Sequence, residues 1–220
     1  MKTLLVGLGI IAAGLMVAAP AAHAVPFAPV VFNLTSDHCD GGCGTPPFGT
    51  VTLIESGTTV DVTVHLNSPN QFVKTGAADF LAFKFNAVDV VLGDITVDAH
   101  IPALVAAAGA FNGDGTGEFD FGINCPTCGG GASTPFSNDI VFHVASATIE
   151  DLTVPNDLGN IFVADIIGST GNTGPVDVTG GGGNGGGGGQ GQVPGPLSLV
   201  LMGVGLAVFA VARRGFRHLG

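Results

Sequence analysis

The chain has 220 residues, 46% hydrophobic and only 10% charged, which is too apolar and too sparsely charged for a disordered polyelectrolyte. Six Lys and Arg against 17 Asp and Glu give a net charge of −11, so the concentrated basic footprint that nucleic-acid binding requires is absent. The length suits one domain with appendages.

The placement of the charges divides the chain. Lys2, Arg213, Arg214 and Arg217 lie at its ends, while every acid falls between Asp37 and Asp177. Basic residues beside apolar runs orient a chain in a membrane. Lys2, the uncharged apolar run Leu4–Ala19, the helix-breaking Pro20 and the small residues of Ala22-His23-Ala24 form the three parts of a secretory signal peptide. Residues 1–24 are therefore expected to be removed by signal peptidase, leaving Val25 first. An uncleaved anchor is the alternative.

Residues 25–179 form the next unit, long enough for a sizeable core. Its first chemical feature is His38-Cys39-Asp40-Gly41-Gly42-Cys43. Strands are expected at 49–55 and 59–66, the second because Val60, Val62, Val64 and Leu66 occupy alternate places. Further strands are expected at 79–85, 87–99, 117–123, 139–150 and 160–167. Leu81, Phe83 and Phe85 share one face, as do Phe119, Phe121 and Ile123. Turn residues such as Ser56-Gly57, Asn67-Ser68-Pro69-Asn70 and Pro155-Asn156-Asp157 separate these runs. Only Pro102–Ala108 invites a helix, of about two turns. Short strands with frequent turns predict an all-β fold, an antiparallel β-sandwich of jelly-roll-like form with its phenylalanines between the sheets. Phe without Trp or Tyr favours core packing over an aromatic platform for sugars.

Within this head, Asn112-Gly113-Asp114-Gly115-Thr116-Gly117-Glu118 sets oxygen-bearing side chains at alternate positions. Two readings stand. Asn112, Asp114, Thr116 and Glu118 converge on a calcium ion, or the stretch is a Gly-rich turn entering a strand. No cofactor is expected unless this stretch holds calcium. A full calcium loop also needs a carboxylate at its twelfth place, which is Ile123 here.

Cys125-Pro-Thr-Cys128 completes a second close pair of cysteines. Exported proteins meet an oxidising compartment, so disulfides Cys39–Cys43 and Cys125–Cys128 are expected, stapling two Gly-rich loops. Zinc held by all four thiolates is the competing reading. A thioredoxin-type role for Cys125 and Cys128 would need a helix where Gly129-Gly130-Gly131 follows. His38, His65, His100 and His143 are scattered, and His65 and His143 fall on the wet side of their strands. No Gly-x-Ser-x-Gly elbow or triad order appears. Glu55, Glu118 and Glu150 are the carboxylates a glycosidase couple would draw on, and nothing in the sequence positions them. The chain reads as a non-enzyme.

Gly180–Gln192 is almost all glycine and cannot build a packed element. As a flexible coil it spans roughly 20 Å. Val193-Pro194-Gly195-Pro196 follows, then the uncharged run Leu197–Ala212, then Arg213-Arg214-Gly215-Phe216-Arg217. A helix over 197–212 is about 24 Å long, and snorkelling arginines and local thinning let it span a bilayer. The basic tail would stay in the cytoplasm.

Residues 193–220, with the signal peptide, resemble the PEP-CTERM sorting signal, with Gly195 where that family usually carries Glu. The resemblance implies export in a Gram-negative, exopolysaccharide-producing bacterium and processing by an exosortase-like membrane protease. A plain tail anchor is the alternative. Such a signal is an address shared by unrelated heads and assigns no catalytic residue. The expected protein is an exported surface or matrix component, first held at the inner membrane with its head in the periplasm and then placed at the cell surface or in the matrix. A calcium-dependent module for extracellular polysaccharide is the alternative function.

Overall fold

The structure, a computed structural model, describes residues 28–75 and 80–179. The expected signal peptide, the glycine-rich stretch and the expected sorting segment, with Val193, Pro194, Gly195, Pro196, Arg213, Arg214 and the expected span 197–212, lie outside the described residues. Among the described residues no helix is long and apolar enough to cross a membrane.

Among the described residues thirteen strands form two sheets, and every strand pairing is antiparallel. In chain order they are β1 (Val30–Leu34), β2 (Ser36–Asp37), β3 (Gly49–Ser56), β4 (Thr59–Leu66), β5 (Gln71–Lys74), β6 (Phe83–Phe85) and β7 (Ile95–Val97). Then come β8 (Val105–Asn112), β9 (Glu118–Asn124), β10 (Gly131–Phe136) and β11 (Ile140–Ala145), a single-turn helix α1 (Ile149–Leu152), β12 (Asn160–Ile167) and β13 (Thr173–Thr179).

The first sheet runs β1-β3-β4-β11-β7. Its inner face follows from alternation: Val60, Val62, Val64 and Leu66 of β4 are all buried, and Val51 and Leu53 of β3 pair with Val64 and Val62. The second sheet runs β10-β5-β12-β6-β9-β8. β13 pairs along one edge of β12, so β5 and β6 share the opposite edge, and β2 extends the sheet beyond β13.

Phenylalanines join the two sheets. Phe32 of β1 and Phe142 of β11 meet Phe162, Phe83 and Phe85 of the second sheet, with ring centroids 5.5 Å apart for Phe32–Phe162 and 5.1 Å for Phe85–Phe142. Edge-to-face and offset contacts suit the ring quadrupole. Burying each ring contributes about 1.5–3 kcal/mol. The expected use of Phe as core filling is what the structure shows.

β12 departs from simple alternation. Asn160 through Ile166 is buried on both faces. The face turned away from the Phe core holds Val163, fully buried and paired with Lys84 of β6 and Asp177 of β13. Leu81 packs over Gly122 on that same side.

Pro102–Ala108, expected as a helix, is instead the start of β8 from Val105. Ala106, Ala107 and Ala108 pair with Ile123, Gly122 and Phe121 of β9. Their helix propensity is worth only a few tenths of a kcal/mol each and loses to a continuous ladder along the edge of β9. The strand expected over 87–99 is reduced to β7 after a short 3-10 turn at Leu92–Asp94. That over 139–150 ends at Ala145, because Thr148 caps α1, its hydroxyl accepting from the Asp151 amide.

Candidate functional site

The cysteines form two disulfides, Cys39–Cys43 and Cys125–Cys128, with Cα atoms 5.5 and 5.3 Å apart. Local pairing follows from chain proximity, since each loop holds its own two sulfurs. Zinc coordination by four thiolates is thereby displaced, because each sulfur is spent on its neighbour. Among the described residues the one grouping of metal-type side chains is Asp37, Cys39 and Cys43. Asp37 is already occupied there: Oδ1 accepts from the Cys39 amide and Oδ2 from the Cys43 amide, both at 2.9 Å. It works as a clasp for the loop. The second loop is held by Lys74, whose buried Nζ donates to the Cys125 carbonyl at 2.8 Å.

The 112–118 stretch joins β8 to β9 as a hairpin. Asn112 and Glu118 pair across the ladder, Asp114 has a left-handed φ of 51°, and the Gly113 amide donates to the Gly117 carbonyl. Asn112 Oδ1 accepts from the Asp114 amide, and Thr116 Oγ1, fully buried, donates to the Gly113 carbonyl at 2.6 Å. Two of the four oxygens proposed for calcium thus turn back into their own turn. The Thr116 carbonyl in turn accepts from Nδ2 of both Asn156 and Asn160. These bonds dock the hairpin onto the loop before β12.

That docking creates the cleft of the head, about 440 Å³ and open to solvent, walled by Asn86 and Val88 after β6, Glu118 and Asp120 of β9, and Pro155 and Asp157. The asparagines beside it are structural. Asn86 Oδ1 accepts from the Asp120 amide, and Asn156 Oδ1 accepts from the Leu158 and Asn160 amides. What the cleft offers a ligand is three exposed carboxylates, Glu118, Asp120 and Asp157, among apolar edges. Glu118, read from sequence as a turn carboxylate, therefore lines a cleft, whereas Glu55 accepts from the Ile149 amide and serves as a post for α1. No sequence pattern marks Asp120 or Asp157 as cleft residues, because the two walls are some forty positions apart.

His65 of β4 and His143 of β11 are engaged on the outer face of the first sheet. His65 Nδ1 lies 2.7 Å from Asp139. His143, on the outer face of β11, places Nδ1 2.6 Å from Asp61 of β4 and Nε2 2.9 Å from Asp98. Only imidazolium has an N–H on both ring nitrogens, so this double contact selects the protonated form. The Asp61 hydrogen bond accordingly raises the His143 pKa above its ordinary value, against partial burial that lowers it, and Asp98 adds to the rise. The arrangement is a clamp across three chain segments.

No family model, curated protein or solved structure matches the chain.

Proposed function

We propose that the chain is a non-enzymatic exported protein of the cell surface or extracellular matrix, its jelly-roll-like head carried on a glycine tether and sorted through the C-terminal segment. The observation that carries this reading is the layout of the sequence: Lys2 and the apolar run Leu4–Ala19, a β head, Gly180–Gln192, then Val193-Pro194-Gly195-Pro196, the uncharged apolar run Leu197–Ala212 and arginines. Two disulfides in the head support it, since such bonds persist in oxidising compartments. The proposed partners are signal peptidase, an exosortase-like protease, the inner membrane in transit, and exopolysaccharide at the destination.

The experiment is mass spectrometry of the mature protein from membranes and from culture medium. Termini at Val25 and near Pro196 are expected. An intact C-terminus in every fraction would replace sorting with a plain anchor, and a retained residue 1 would remove export through a cleaved signal.

A further inference from the structure

The away-facing side of the second sheet carries a pair of charges that its surroundings do not suit. Lys84 of β6 and Asp165 of β12 are 1% and 0% exposed, with Nζ 3.0 Å from Oδ2. Their neighbours on this face include Val163 and Leu81, both buried. Asp165 Oδ1 is buried with no hydrogen-bond partner, and so are the Thr75 hydroxyl and Asn124 Oδ1. An ion pair in such a place loses the hydration of both ions, and an unmatched carboxylate oxygen adds to that cost. Burial accordingly pushes the Asp165 carboxyl up to about 6, with the Lys84 charge pulling it back.

One proton moved from Nζ to Oδ2 turns the ion pair into a neutral amine facing a neutral carboxylic acid. These are the two reactants of an amide, held at contact distance with water excluded. We propose that Lys84 and Asp165 are the site of an intramolecular isopeptide cross-link, formed once folding has brought the two strands together. The Lys84 Nζ lone pair attacks Asp165 Cγ, the C–N bond forms and the C–OH bond breaks. The hydroxyl leaves as water with one amine proton, and the other amine proton stays on the amide nitrogen. No oxidant or cofactor is consumed. The product carries no charge into the sheet and keeps a single carbonyl oxygen in place of two carboxylate oxygens.

The link fits the architecture. β6 has three residues, and it connects β12 to β9 across the middle of the second sheet. The disulfides close spacings of only 4 and 3 residues, whereas Lys84 and Asp165 are 81 positions apart. A bond across that separation constrains the unfolded chain far more than either staple does. This inference stands on the head alone and is independent of where the chain is exported.

The test is made on the purified full chain, reduced and denatured so that disulfides do not alter the mass. The expected mass is about 18 Da, one water, below that calculated for the termini observed. A chymotryptic map is expected to contain one branched peptide joining the segment with Lys84 to the segment with Asp165. Lys84→Met is expected to restore the missing mass and abolish the branched peptide. Linear peptides carrying a free Lys84 amine and an intact Asp165 carboxyl overturn the proposal, as does a loss of water confined to a single linear peptide. Should Lys84→Met not fold, the map of the unaltered protein decides by itself.

Discussion

Gly117 shows how much one hydrogen atom decides in this head. Its φ is +100°, and a Cβ there would run into the side-chain amide of Asn156, which donates to the Thr116 carbonyl at 2.8 Å. Gly117→Ala is therefore expected to destabilise by roughly 2–4 kcal/mol, combining backbone strain with a displaced buried amide. Gly115 has a φ of +95° but opens on free space, so Gly115→Ala should cost only the backbone part, about 1–2 kcal/mol. Thermal unfolding of the two variants measures the contrast, and equal losses would refute the docking role of Asn156. His143 makes a second prediction. Its native pKa lies above the ordinary 6.5, so its contribution is fully present below about pH 6.5 and is lost as pH rises through the native value. The charged groups facing it are Asp61 and Asp98. The residue is more than a third exposed and solvent screens the pair, so the effect is below about 1 kcal/mol. Denaturant unfolding should find wild type ahead of His143→Gln at pH 6 and level with it at pH 9. A gap that is constant with pH would show that the clamp acts without charge.

At the level of elements, the disulfide loops are parts of the packing rather than ornaments on it. The Cys39–Cys43 loop lies on the β12–β13 turn so closely that a Cβ at Gly168 would strike the Cys43 carbonyl and one at Gly174 the Cys39 backbone. Thr170 Oγ1 and Asn172 Nδ2 both donate to the Gly42 carbonyl. Cys39→Ser with Cys43→Ser should lower stability by about 1–3 kcal/mol, modest because the closed loop is short. Calorimetry of that double variant against wild type checks it, and an unchanged melting temperature would mean that the hydrogen bonds of Asp37, Thr170 and Asn172 hold the loop without the disulfide. The strands were legible where alternation was strict. Thr59–Leu66 reads as a half-buried strand from its valines alone, and it is β4. Pro102–Ala108 misleads because alanine is silent about strand faces, and the ladder that recruits it belongs to β9. β13 went unread for a related reason: Gly174 and Pro175 interrupt its pattern, and its partner β12 is buried on both faces.

For the whole molecule, 17 acids against Lys74 and Lys84 give the segment between the terminal basic residues a net charge of −15. One lysine is spent on Asp165 and the other on the Cys125 carbonyl, so neither lysine pairs with a surface carboxylate. Such a head resists association with other copies and with anionic surfaces. The expected termini at Val25 and near Pro196 belong to this scale, because they report on the entire layout. A head cut loose at the tether should retain its sheets, since the Phe core and both disulfides lie between residues 30 and 179.

The sequence by itself determined the segregation of charge along the chain, the β character of its head and the local pairing of its cysteines. Each of these is written in residues that are close neighbours, in charge at the ends, alternation along a strand, and cysteines three or four apart. Only the tertiary structure decided that Lys84 meets Asp165, that His143 reaches both Asp61 and Asp98, and that Glu118, Asp120 and Asp157 line one cleft. Those meetings join positions about 40 to 80 apart, and they depend on sheet order and register, which no local pattern of side chains encodes.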